Sequence, residues 1–224
     1  MGFEKSQGHS TYIKVVDGKF AVKCEEGDEG AVARTLKGGP NEGDTVYEQL
    51  HDAYSGHVKK VWIKDGSYGD QLNIKVSDGK SAAIITVPVS SRHAKKLFVV
   101  MNNIDLEQPV TFSPYKLQKK VDGKTIKDKF IHGWTIKQDD EAIEGTITRE
   151  DIPEMVEKKV KGKMVWDDSD QIEFFVAAFN EWKEKSFPED DYKEDEKPSK
   201  PVSKPASKKQ ENDGIDLEED EIPF

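Results

Sequence analysis

Rings and cations are interleaved through the middle of this 224-residue chain. Trp62, Tyr68, Phe98, Phe112, Tyr115, Phe130 and Trp134 alternate with Lys59, Lys60, Lys64, Lys75, Arg92, Lys95, Lys96, Lys116, Lys119, Lys120, Lys127, Lys129 and Lys137. Such a stretch has a definite chemistry. Aromatic faces stack on bases, at about 1–3 kcal/mol per base, while ammonium groups line a groove for phosphates. In Lys59-Lys60-Val61-Trp62-Ile63-Lys64 the two-residue period of a strand puts Lys60, Trp62 and Lys64 on one face and Val61 and Ile63 on the other. Lys116, Gln118 and Lys120 share a face in the same way, with Tyr115 and Leu117 opposite. Phe98, Phe112 and Phe130 are expected in a core, the commoner place for a ring in a small β domain. Trp62, Tyr68 and Tyr115 are flanked by lysine, glycine or polar residues, and stacking and core packing both stay open for them. Trp134, which follows Gly133, is open too.

The formal net charge is −10, which at first sight speaks against an anionic partner. The charge is segregated, however. Residues 55–137 carry 15 basic and 7 acidic groups, whereas residues 1–54, 138–185 and 186–224 have net charges of −4, −7 and −7. A basic block inside an acidic protein is the footprint of a phosphate-binding surface; lysines that merely keep a sheet soluble are the alternative. Only 34% of residues are hydrophobic, enough for one domain with part of the chain unpacked. No apolar run approaches the roughly 18 residues of a membrane span. MGFEKSQGHS has no apolar h-region, and the single Cys24 forms no internal disulfide, so a reducing, cytoplasmic location is expected.

The elements that must position these residues are mostly strands. His57–Lys64, Gln71–Val76, Ser81–Val89, Val110–Leu117 and Ile126–Lys137 read as β, with Pro88 marking an edge or strand end. Asp-Gly-Lys triplets at 17–19, 78–80 and 122–124 predict type I′ hairpin turns, since both central residues tolerate positive φ. Short strands, hairpins and no βαβ spacing predict a small antiparallel barrel or sandwich. Helices are expected at Ser91–Val100, more weakly at Thr45–Tyr54, and by composition at Glu150–Lys159. The strongest is Ser169–Glu184, with Ser169 as N-cap and Ile172, Phe175, Val176, Phe179 and Trp182 forming a stripe that packs against the barrel.

Beyond Ser186 the chain is rich in Pro, Ser, Lys and acids and is expected to be a disordered linker over 186–213. Residues 214–224 end differently, in Glu218-Glu219-Asp220-Glu221-Ile222-Pro223-Phe224. This segment resembles the acidic tip of bacterial single-stranded DNA-binding proteins, which docks on replication, recombination and repair enzymes. The chemistry is readable directly: the Phe224 ring suits a hydrophobic pocket, its α-carboxylate pairs with an arginine at the rim, Pro223 lowers the ordering cost, and Asp220 and Glu221 steer toward basic surfaces, with Ile222 adding apolar contact. A flexible chain of 39 residues spans about 35 Å, so the tip can reach a basic face on the folded part and compete weakly there with nucleic acid.

The body resembles instead the bacteriophage OB-fold single-stranded DNA-binding proteins. The resemblance rests on Tyr47–Trp62, on Tyr68–Ile74 and on Ser90–Tyr115, which includes Ser91-Arg92-His93-Ala94-Lys95-Lys96 and Pro109-Val110-Thr111-Phe112-Ser113-Pro114-Tyr115. It covers about residues 45–137; residues 1–44 and 138–168 contribute nothing to it. It implies a mainly β, five-stranded OB barrel with extra hairpins and a C-terminal helix over residues 1–185, binding single strands without sequence preference. The candidate DNA-binding residues are Lys59, Lys60, Trp62, Lys64, Tyr68, Lys75, Arg92, Lys95, Lys96, Tyr115, Lys116, Lys120, Lys129 and Trp134. A monomer or weak dimer is expected, without cofactor, metal or membrane.

Enzymatic constellations are missing from the sequence. His9, His51, His57, His93 and His132 lack metal-ligand spacing, and there is neither a phosphate loop nor a nucleophile elbow. Asp139-Asp140 and Asp167-Asp168 read as solvated loop acids. The rival reading is an acidic interaction protein or DNA mimic that occupies replication enzymes through its tail; the basic block speaks against it.

Overall fold

Alternating apolar and polar residues, broken by Asp-Gly turns, fold here into a mainly β structure with two helices. The computed structural model describes residues 11–37, 41–66, 69–121, 124–160 and 163–188. Tyr68, most of the expected linker and the whole tip from residue 214 to Phe224 lie outside the described residues.

The strands are β1 (Thr11–Val16), β2 (Lys19–Cys24), β3 (Ala31–Thr35), β4 (Thr45–His51), β5 (Tyr54–Lys64), β6 (Gln71–Ser77), β7 (Ala82–Pro88), β8 (Val110–Val121), β9 (Lys124–Gln138) and β10 (Glu141–Ala142), then a separate ribbon of β11 (Val156–Val160) and β12 (Lys163–Asp167). Helix α1 (Arg92–Val100) continues into a 3₁₀ turn at Met101–Asn103, and α2 (Ser169–Ser186) follows β12. The first ten strands form one sheet in the order β10-β9-β8-β5-β6-β7-β1-β2-β4-β3, and it does not close on itself. Nor is it wholly antiparallel: β1 runs parallel to β7, with Ile13 opposite Ile85.

One face of this sheet is dry. Ile13, Phe20, Val61, Leu72, Ile74, Ile85, Phe112, Trp134 and Ile136 are each at most 2% exposed. Helix α1 lays Ala94, Leu97 and Phe98 onto that core, and Ser91 caps it by accepting a hydrogen bond from the Ala94 amide at 3.2 Å. Helix α2 uses the predicted stripe, but packs it against α1 rather than straight onto the sheet. Phe175 and Phe179 meet Phe98 at ring separations of 5.7 and 5.5 Å. Its cap also differs from expectation. Ser169 is the first helical residue, and the Asp167 carboxylate accepts its N–H and its hydroxyl proton. Those two bonds, with the ion pair to Lys158 first, hold the Asp167 carboxyl down at about 2. Past the helix, Phe187 packs edge-on against Trp182, so side-chain packing extends just beyond the expected boundary at residue 185.

Two expected helices are strands. Thr45–Tyr54 contains Thr45, Val46 and Tyr47, types that suit a pleated surface, and β4 is held on both sides by β2 and β3. Glu150–Lys159 has helical composition but passes through a turn into β11, whose partner β12 pairs Glu157 with Trp166. The Asp-Gly turns are of two kinds. Asp17 and Gly18 take φ of 53° and 79°, as a type I′ turn requires. Asp78 instead closes a longer β6–β7 loop, its carboxylate accepting the amides of Lys80 and Ser81 at 2.8 and 2.7 Å. The third triplet joins β8 to β9, whose ladder runs to Val121 opposite Lys124.

Candidate nucleic-acid interface

Strand β5 changes phase in its middle. Val58 is opposite Val76 and Lys60 opposite Lys75, so Lys59 is the extra residue of a bulge. Gly56 and Val58 point into the core before the bulge; Val61 and, partly, Ile63 do so after it. Without that extra residue Lys60 and Trp62 would face inward. The bulge is therefore what sets Lys60, Trp62 and Lys64 outward together, as the local alternation predicts.

The ladders then extend this outer face across four strands. One row is Lys60, Lys75, Ile84 and Tyr12; the next is Trp62, Asn73, Thr86 and Lys14; a third is Lys64, Gln71 and Pro88. Two rings and four ammonium groups thus share one surface, and no carboxylate stands in these rows. Trp62 is half-buried, with the Lys60 ammonium 5.8 Å from its centroid, while Tyr12 is 63% exposed. Thr86 donates to the Asn73 side chain at 2.9 Å, and Asn73 to the Gln71 carbonyl at 3.1 Å, fixing the polar floor between them. Lys60 and Lys75 are directly opposite each other in the ladder, so two lysines stand side by side on this face.

A second cationic element is the outer part of the β8–β9 hairpin. Here the ladder shifts between Gln118 and Lys120, and Asp128 takes a φ of 58°. Leu117, Gln118, Lys119, Lys120, Lys124, Lys127, Lys129 and Phe130 are all exposed, so this arm stands clear of the core on both faces. Lys120 and Lys129 are placed here, together with each other but apart from the Trp62 surface. The expected alternation of Leu117 against Lys116 and Lys120 does not separate buried from exposed in the arm, where Leu117 and Lys120 are both exposed.

The remaining candidates fall elsewhere. Trp134 is a core residue, 2% exposed, with its ring 5.3 Å from those of Phe112 and His93, and offers no face to a base. Tyr115 is half-buried and lies across Gly133, where a Cβ would stand 2.5 Å from its hydroxyl oxygen. Lys116 is committed twice, to Asp17 Oδ1 at 2.7 Å and to the face of Phe130 at 4.4 Å. Phe130, expected in the core, is thus a surface ring under an ammonium group. Lys95 bonds Asp168 at 2.8 Å and braces α1 against the start of α2. Arg92 is exposed and Lys96 half-buried on α1, which covers the core side of the sheet, opposite Trp62.

Tyr12 and Lys14 are the residues that sequence reasoning passes over. Their signal is the hairpin Thr11–Cys24 around Asp17-Gly18; what brings them to Trp62 is the parallel pairing of β1 with β7, which no local pattern announces. Among the described residues, no three His, Cys, Asp or Glu side chains gather where they could hold a metal ion, and no helix is long and apolar enough to cross a membrane. Compared with models of protein families, with curated proteins and with solved structures, the chain matches none.

Proposed function

We propose that this protein binds single-stranded DNA without sequence preference, coating and protecting it during replication, recombination and repair, and that its acidic tip recruits the enzymes of those processes. The observation that carries the reading is the outer face of β5, β6, β7 and β1. Phosphates lie along Lys60, Lys75, Lys64 and Lys14, and bases stack on Trp62 and Tyr12. A sheet face lined by rings and lysines suits any base sequence, because every base has a π-face and every nucleotide a phosphate. Lys59, Lys119, Lys120, Lys127 and Lys129 add cationic reach at the bulge and along the arm.

The order β8-β5-β6-β7, with α1 between the third and fourth of these strands in sequence and β9 beyond β8, supports an OB-type unit of phage kind in which the added β1 lies along β7. In this reading Asp220, Glu221, Ile222, Pro223 and Phe224 form the partner-docking tip and the chain has no catalytic role.

Titration of intrinsic tryptophan fluorescence with dT oligomers of graded length tests the reading. Stacking on Trp62 quenches emission and weakens with salt. An unchanged spectrum with oligo(dT) in dilute buffer overturns it and leaves the acidic interaction protein in its place.

A further inference from the structure

The outer face does not end at β1. Beside Lys14 it runs into an open cleft of about 490 Å³, within the range of roughly 300–1,000 Å³ typical of small-ligand sites. Gln71, Thr86 and Lys14 belong to both the face and the cleft. Across from them stand His93, from the first turn of α1, and His132 of β9. Asp17, the carboxylate in the lining, is already paired with Lys116 at 2.7 Å. The start of α1 adds the positive end of a nine-residue helix.

His93 is the informative group. It is 9% exposed, and its Nε2 is buried without any hydrogen-bond partner. The ring stands edge-on to Trp134, with an interplanar angle of 83°, and interacts with the backbone of Gly133 through its other nitrogen. A neutral imidazole whose Nδ1–H faces a carbonyl presents Nε2 as an acceptor. Desolvation, and to a lesser degree His132, disfavour charging the ring. The cleft therefore offers the Lys14 ammonium for an anion and, buried behind its His93 wall, one acceptor that lacks a donor.

We propose that this cleft takes one nucleotide of the bound strand, with the phosphate on Lys14 and His132 and an N–H of the base edge donated to His93 Nε2. Every nucleobase carries such an N–H, so the contact does not select sequence. The strand then has a direction on the surface, crossing Trp62, Asn73, Thr86 and Lys14 before its nucleotide enters between β1 and α1. For the identity of its ligand this rests on the single-strand reading above.

The test is histidine-detected NMR on the full chain, with the imidazole nitrogens labelled, during titration with thymidine 5′-monophosphate and separately with inorganic phosphate. The nucleotide is expected to shift the His93 Nε2 and His132 signals saturably, while phosphate shifts His132 alone. Lys14→Ala and His132→Ala are each expected to weaken nucleotide binding and oligo(dT) binding about tenfold. His93→Gln is a weaker probe because it disturbs packing on Trp134, and the two surface variants keep the test decisive if it fails to fold. A silent His93, or a His93 shift reproduced by phosphate alone, overturns the proposal. Oligo(dT) binding in the same sample is read from Trp62. Binding with a silent His93 removes the cleft and spares the single-strand reading, whereas no oligo(dT) binding removes that reading and leaves the mononucleotide shift to decide the cleft.

Discussion

Lys116 Nζ lies 2.7 Å from Asp17 Oδ1, joining β8 to the β1–β2 turn across 99 positions of sequence. The turn is already seated there. A Cβ on Gly18 would come within 2.5 Å of the Lys116 amide nitrogen, so the turn lies directly on the β8 backbone. The ion pair therefore pins the first hairpin beside the hairpin arm, and its lysine is spent on structure. Lys116→Ala is expected to lower the unfolding free energy by no more than about 1 kcal/mol, since Asp17 is 73% exposed. It should leave the salt dependence of oligo(dT) binding unchanged. Lys116 also holds the Asp17 carboxyl below its ordinary 3.8. The pair's contribution is accordingly present above that pH and lost as the carboxyl protonates in acid, so urea titrations of variant and wild type should converge at low pH.

The two central tryptophans separate binding from stability. Trp62→Ala removes a half-exposed ring and is expected to cost about 1–3 kcal/mol of oligo(dT) affinity with little change in urea midpoint. Trp134→Ala opens a cavity beside Phe112 and His93 and is expected to cost about 3–5 kcal/mol of stability. Equilibrium unfolding and anisotropy titration of both variants check the pair; loss of DNA binding by a stably folded Trp134→Ala would contradict it.

Salt dependence counts the phosphate contacts. Each lysine that releases a counterion from a single strand contributes about 0.7 to the log–log slope. Removing Lys14, Lys60, Lys64 and Lys75 together should make the slope shallower by about 2.8. Lys95→Ala is the control. It breaks the Asp168 contact that braces α1 against α2, so it should lower stability and leave the slope intact.

Acid should weaken the fold through His93. Burial, more than the neighbouring His132, depresses its proton affinity below the ordinary 6.5. The unfolded chain takes up the proton first, so the stability this ring provides is full above 6.5 and declines as pH falls further. Lys14, Asp17 and His132 face the same cleft. His93→Gln should flatten the decline between pH 6.5 and 5, as followed by urea midpoints.

Much of the site was legible locally. The strand around Trp62 follows from alternation, and the spacing from Val58 to Val61, odd where a regular strand needs even, is the mark of the Lys59 bulge. Helix α2 and its stripe follow from a 3.6-residue period. Tertiary context accounts for the rest. Composition favours helix at Glu150–Lys159, yet β11 forms because β12 lies ready to pair with it. Trp134 and Phe130 are four residues apart on one strand; Trp134, open between stacking and core, is buried because α1 covers it, whereas Phe130, expected in the core, lies on the exposed arm. Tyr12 reaches the site only through a partner some seventy residues away, a distance at which periodicity is silent.

The parallel seam between β1 and β7 also has a bearing on solubility. Strand β7 is the run Ala82-Ala83-Ile84-Ile85-Thr86-Val87-Pro88, uncharged and almost wholly apolar. Among the described residues, the Thr11–Val16 segment is what screens its second edge from other chains. Peeling that segment away would bare a row of unpaired amides and carbonyls on a β-prone, neutral heptad, the kind of template on which separate molecules zip together into aggregates.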